Sequence, residues 1–298
     1  MVLDAPSNLG LRPPQEGRVP GCYKLGWALR EAGLFVDMGV REAGVVVPPR
    51  YVSDWRPGDG DRNAQAISDY SIELANRLSD VIADDVFTVV LGGDCSILLG
   101  SALALGRQGR TGLVFLDGHS DFRHPDNAEA IGTAAGEDLA IVTGRGDPRL
   151  IDLGGIGPSV LDEDVAAAGM RTKDEHLTEM RAHGIRVLTV EEMRTIGMAE
   201  TANRLLDRVT RAELDHFWIH LDVDILDSEV MPAVDTPTPG GLTTTELTDL
   251  LIPILGHPKA AGIDIAIFDP DLDPDAGHAK TLASMLNQAL EATTGIRC

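Results

Sequence analysis

The sequence predicts an α/β protein in three layers, α/β/α, with a mainly parallel sheet covered by helices on both faces. Three observations carry that expectation. Short apolar runs recur along the chain, each ends in a polar or glycine-rich turn, and helical patterns fall between them. Strands apolar on both faces that alternate with helices are the mark of a buried parallel sheet.

The elements follow in order. A helical pattern at 63–83 leads to "FTVVLGG" (87–93), where Gly92 and Gly93 permit a sharp exit from the strand and Asp94 ties the turn in place. The apolar helix "SILLGSALALGRQG" follows, and then the strand "TGLVFLDGH" (111–119). Further strands are expected at "LIDLGGIG" (150–157), "IRVLTVEEM" (185–193), "HFWIHLDVDIL" (216–226) and "AAGIDIAIFDP" (260–270). The remaining helices are expected at 160–183, 199–213, 243–256 and 279–293. No repeat, low-complexity tract or long linker interrupts the series, so residues 1–298 are expected to form a single domain.

Composition narrows the function. Asp and Glu outnumber Lys and Arg 47 to 25, a formal charge of -22, which argues against nucleic acid or an anionic membrane surface as partner. No apolar stretch approaches the roughly 20 residues that span a bilayer, and the N-terminus has no secretory pattern. The cysteines Cys22, Cys95 and Cys298 are few and far apart, which suits a reducing, cytoplasmic location rather than a disulfide framework.

Chemistry is concentrated at two strand ends. In "LVFLDGHSDF", Asp117, His119 and Asp121 stand at i, i+2 and i+4, which in extended chain puts all three on one face. In "FWIHLDVDILD", Asp222 and Asp224 repeat the pattern and Asp227 lies just beyond. Carboxylates gathered at the mouth of a sheet repel one another unless a cation joins them. Oxygen and imidazole donors suit Mn²⁺, Fe²⁺, Co²⁺, Ni²⁺ or Zn²⁺, and this many ligands exceed the needs of one ion. Two divalent ions sharing bridging carboxylates are the expectation.

Three blocks, "GGDCS", "DGHSD" and "LDVDILD…GGLTTTE", resemble in order and spacing the signatures of the ureohydrolases, the family of arginase, agmatinase, guanidinobutyrase and formimidoylglutamase. The resemblance runs from "DAPSNLG" to "GGLTTTE" and implies an arginase-type fold with a parallel sheet of about eight strands. It also implies hydrolysis of a guanidino C–N bond by a metal-bridging hydroxide at two ions, usually Mn²⁺, in a trimer or hexamer. Carried over by motif, Asp117 and Asp222 bridge the metals and take part in catalysis, and His119 and Asp224 complete one ion. Cys95 and Asp121 complete the other, and Asp227 orients ligands from outside. Glu246 matches the glutamate that holds the substrate guanidinium, although "TTTE" is also a capping sequence.

Departures from the family pattern bear on substrate and metal. Cys95 replaces the family histidine and could be a thiolate ligand, which favours Zn²⁺ or Fe²⁺, a non-ligating apolar residue, or a nucleophile. Ala135-Gly136 stands where relatives carry a His-Gly proton shuttle, with Glu137 or Asp138 as possible substitutes. "LIDLGGIGPS" lacks the acid that arginases use for the α-amino group. Arg123, His124 and Asn127 could greet a substrate carboxylate, and Asp235 replaces a glycine as a further recognition acid. An arginase or Nω-hydroxyarginine hydrolase is favoured. The other family activities, an amide hydrolase, and a non-catalytic member that has lost one metal are the alternatives.

Overall fold

The computed structural model describes residues 1–82, 86–129 and 131–294. In chain order the elements are β1 (Val2–Asp4), α1 (Leu25–Glu31), β2 (Glu42–Val45), α2 (Ala64–Ile82), β3 (Thr88–Leu91), α3 (Ile97–Gly106) and β4 (Gly112–Leu116). Then come α4 (Asp138–Val142), β5 (Val165–Ala168), α5 (Leu177–Ala182), β6 (Arg186–Leu188), α6 (Val190–Ile196) and α7 (Met198–Val209). The chain closes with β7 (Phe217–Asp222), α8 (Thr244–Leu255), β8 (Ala260–Ala266) and α9 (Gly277–Thr294).

The eight strands form one sheet in the order β2-β1-β3-β8-β7-β4-β5-β6, with every neighbouring pair parallel. Helices α2, α3 and α4 pack together on one face, where α3 meets β7 and β8; α7, α8, α9 and α1 cover the other. This double covering is why β3, β4, β5 and β7 are buried at every residue and are apolar apart from Thr88, His220 and Asp222. Among the described residues no helix is long and apolar enough to cross a membrane.

β8 and β7 are inserted between β3 and β4, so the carboxyl ends of these four central strands lie side by side. Ligands in open α/β sheets bind at such a place. Two glycines let backbones and rings close up, Gly93 at that edge and Gly262 near the opposite end of β8. A side chain at Gly93 would run into the carbonyl of Ser7, and one at Gly262 into the ring of Trp218. Asp94 ties the Gly92-Gly93 turn as expected, accepting from Ser7 Oγ (2.8 Å) and from the Ser96 amide (2.9 Å).

Two expected elements are corrected. "LIDLGGIG" is not a strand: Gly154, Gly155 and Gly157 all have positive φ, and the segment makes turns. The strand lies instead within 160–183, which was expected to be helical. Val165–Ala168 is β5, Asp162–Asp164 is a single 3-10 turn, and only Leu177–Ala182 is α-helix. Alanine favours helices in isolation, but small residues buried on both faces between β4 and β6 satisfy the sheet, and tertiary packing overrides propensity. β6 also stops early, because Thr189 and Glu192 form a capping box that starts α6. Cys22 and Cys95 are free and buried, and Cys298 lies outside the described residues.

Candidate metal centre

A cleft of about 410 Å³ opens at the carboxyl edge of the sheet, and His119, Asp121, Asp222, Asp224 and Asp235 line it. The acids reach it by turns rather than by strand alternation, which corrects the extended-chain expectation. β4 ends at Leu116, and the chain from Asp117 turns back so that Asp121 takes a φ of 42°. β7 ends at Asp222, whose Oδ1 accepts from the Asp224 amide at 2.7 Å in a single helical turn.

The two strand ends are stitched together through their own acids. Asp117 Oδ1 accepts from the His119 amide (2.6 Å), and Asp224 Oδ1 accepts from the Gly118 amide (3.0 Å). His119 Nδ1 lies 2.9 Å from Asp224 Oδ2, while Thr238 Oγ1 sits 3.0 Å from its Nε2 and fixes the ring. Cys95 donates from Sγ to Asp222 Oδ2 at 2.9 Å. Donor atoms of Cys95, Asp117 and Asp222 all lie within 4.8 Å of one another, as do those of Asp117, His119 and Asp224. Asp117 belongs to both groups, and its buried Oδ2 has no hydrogen-bond partner.

The electrostatics call for cations. Burial, reinforced by Asp121, Asp222 and Asp224, pushes Asp117 well above the usual carboxylate range; burial and Asp224 do the same to Asp222. Asp121 is pushed up to about 8, chiefly by burial. Burial works against the charged form of His119, but the hydrogen bond and charge of Asp224 outweigh it and raise its pKa to about 9. Divalent ions would replace this mutual repulsion with coordination, so the donor set fits a metal pair. Burial and the charge of Asp222 raise the Cys95 thiol well above its ordinary value, which argues against an activated nucleophile.

Several of the expected site residues lie outside the cleft lining. Glu246 does not line the cleft. Its carboxylate closes the capping box of α8 on Thr243 (2.8 Å to the Thr243 amide) and takes two hydrogen bonds from Arg194 at 2.8 and 3.0 Å. Arg194, aided by the Thr243 bonds, lowers it to about 2. Asn127 is also absent from the lining. It holds its loop by accepting from the His124 amide (2.9 Å) and donating to Phe122 O (2.9 Å) and Glu179 (2.8 Å). Asp227 meets no ligand side chain. It accepts from the amides of Glu229 (2.9 Å), Gly240 (2.7 Å) and Gly241 (3.1 Å) and so shapes the loop that carries Thr238.

Asp235 stands exposed at the cleft wall, hydrogen-bonded to the Thr236 hydroxyl at 3.1 Å. Ala135 and Gly136 line the cleft, whereas Glu137 is turned inward onto the amides of Gly132 and Thr133 (2.9 and 3.2 Å). Arg123 lines the cleft, but buried His124 faces Glu179 at 3.1 Å. Sequence reasoning missed Arg12, Lys173, Asp174 and His176, all on the cleft wall. The polar run "RTKDEH" within a supposed helix was the available signal for three of them; Arg12 offered none.

The chain matches the model of the Arginase family over residues 31–291. It is 32% identical over 187 residues to the arginase of Bacillus caldovelox, covering 62% of each chain. To the arginase of Staphylococcus aureus (strain COL) it is 27% identical over 294 residues, covering 96% of this chain and 94% of the relative. The native structure of the Bacillus caldovelox arginase superposes with a TM-score of 0.85 at 25% identity, covering 97% of both chains. Formimidoylglutamase from Bacillus subtilis shares the fold with a TM-score of 0.73 at 22% identity, covering 98% of this chain and 85% of that one.

Proposed function

Because the chain belongs to the Arginase family, whose members hydrolyse amidino bonds, we propose that it cleaves the guanidino C–N bond of a small acid at two divalent ions and releases urea or a substituted urea. The carrying observation is the pair of donor groups that share Asp117. Asp117, His119, Asp222 and Asp224 would hold one ion, for which their oxygen-rich set suits Mn²⁺. Cys95, with Asp117, Asp121 and Asp222, would hold the other. When bound, the pair supplies a polarised water and Lewis-acid stabilisation of the developing charge.

The protein's own groups do the remaining work. Thr238 fixes the His119 ring so that Nδ1 faces Asp224 and Asp117. The deep carboxylates attract a guanidinium, and Asp235 adds a further acid at the wall. Arg12, Arg123 and Lys173 also stand on the wall, where they suit a carboxylate at the substrate's far end. With Ala135 in place of a shuttle histidine, the proton-carrying role falls to His176, the imidazole lining the cleft besides His119. Arginine or Nω-hydroxyarginine fits this charge pattern better than agmatine. A trimer or hexamer and a cytoplasmic location belong to the same reading.

The test is a urea-release series on metal-loaded protein. Substrates that bear a carboxylate are expected to exceed agmatine in kcat/KM by about tenfold or more, the worth of one charge-assisted pair. Equal rates would contradict the basic wall's role. Glu246→Gln is expected to lower stability by about 1 kcal/mol, through loss of the Arg194 pair and the weaker cap, in thermal denaturation. It should leave kcat/KM within about twofold, since Glu246 lies off the cleft; a thousandfold loss would restore it as a substrate ligand.

A further inference from the structure

Deeper than the cleft, a second set of donors is sealed between the sheet and α3. Trp218, His220 and Asp222 alternate on one face of β7, and His220 lies opposite Asp264 of β8 in the parallel register. Both carboxylate oxygens of Asp264 are engaged, one by Trp218 Nε1 (2.5 Å) and the other by His220 Nδ1. With the Asp264 carboxylate as acceptor, Nδ1 is the donor, and a neutral ring would then present its lone pair on Nε2. Buried Nε2 has no hydrogen-bond partner, and neither does buried Asp138 Oδ2.

These two atoms are 3.6 Å apart, too far for a hydrogen bond. Cys95 Sγ completes a trio whose donor atoms lie within 4.8 Å of one another. Cys95, Asp138, His220 and Asp264 are all 0% exposed. Unsatisfied polar atoms at such depth are costly, and converging ones more so. Two ligands of one tetrahedral zinc stand roughly 3.3 to 3.7 Å apart, given bonds of about 2.0 to 2.3 Å. A carboxylate on the far nitrogen is the usual partner of a metal-binding histidine.

We propose that Cys95, Asp138 and His220 form a buried thiolate-containing site for a borderline-soft divalent ion such as Zn²⁺. Asp222 Oδ2 stands 2.9 Å from Cys95 Sγ and links this site to the cleft. Cys95 belongs to two donor groups, one with Asp117 and Asp222 at the cleft and one with Asp138 and His220 beneath it, and the second draws its ion inward. An ion held by Cys95, Asp138 and His220 would tie the turn after β3 and the strand β7 to the start of α4. The inference deepens the two-ion reading by relocating one ion, and its tests read metal position rather than turnover.

The protein reconstituted with Co²⁺ should show a near-ultraviolet thiolate-to-cobalt band and the strong visible bands of a tetrahedral ion. Cys95→Ser should remove the near-ultraviolet band. His220→Gln and Asp138→Asn should each remove or shift it and lower the bound metal by one equivalent, whereas His119→Ala should keep it. No band in the wild-type protein, or a band unchanged in both the His220 and Asp138 variants, overturns the proposal. Should those buried substitutions prevent folding, anomalous diffraction from the zinc-loaded wild-type protein decides. A peak within bonding distance of His220 Nε2 supports the site, and a peak between Cys95 and Asp117 refutes it. Loss of urea release with the band intact would count against the hydrolysis reading alone.

Discussion

Asp117→Asn is expected to lower turnover by about a thousandfold or more, the rate equivalent of roughly 4 kcal/mol of lost electrostatic stabilisation. Asparagine keeps an oxygen that can accept from the His119 amide, so the turn after β4 should survive. What it loses is the charge shared by both donor groups. Metal affinity measured by calorimetry should fall with activity. In metal-free protein the same substitution should raise the melting temperature, because one of several mutually repelling buried carboxylates is gone. A variant with near-normal turnover would remove Asp117 from the bridging position.

The second large effect concerns the metal itself. Chelation is expected to lower the melting temperature by several degrees at pH 8, since a ligand that binds only the native state stabilises it by mass action. The loss should shrink as the pH falls. Asp117 and Asp222 are raised well above, and Asp121 to about 8, relative to carboxylates that titrate near 4 when unfolded. Groups raised in the native state take up protons there first. The chelated protein should therefore gain stability between about pH 8 and pH 4 and lose it as the pH climbs again. Calorimetric melts with and without chelator check both signs. Equal melting temperatures at pH 8 would show that no ion holds the cluster together.

The cleft acids were legible because each group ends an apolar strand, and an acid there has little reason to exist without a cation. The sheet was legible because β3 and β4 are apolar at nearly every position and β7 is apolar up to His220. β5 was not, because "VAAAG" carries helix propensity and only its neighbours make it a strand. Glu246 reads two ways in sequence because one spacing serves a substrate ligand and a capping box alike, and the structure shows the capping box together with a pair to Arg194, 52 residues away. Asn127 was misplaced because a polar loop residue facing inward onto its own backbone looks in sequence like one facing a ligand. The buried donors were visible but unread: His220 and Asp264 are polar residues in the middle of apolar strands, and only the parallel register sets them face to face. Asp138 reads in sequence as a shuttle candidate, and only the fold brings it beneath the cleft beside His220.

On the proposed reading, the shared-carboxylate centre is a metal-dependent hydrolytic site for guanidino acids. The most direct test follows urea release from arginine and Nω-hydroxyarginine as metal-free protein is titrated with Mn²⁺ and Zn²⁺, bound metal being counted in the same samples. Release that is absent without metal and rises with occupancy of the Asp117, His119 and Asp224 group is the predicted result. Protein carrying two ions per chain that releases urea from neither substrate, nor from guanidinobutyrate or agmatine, would contradict it.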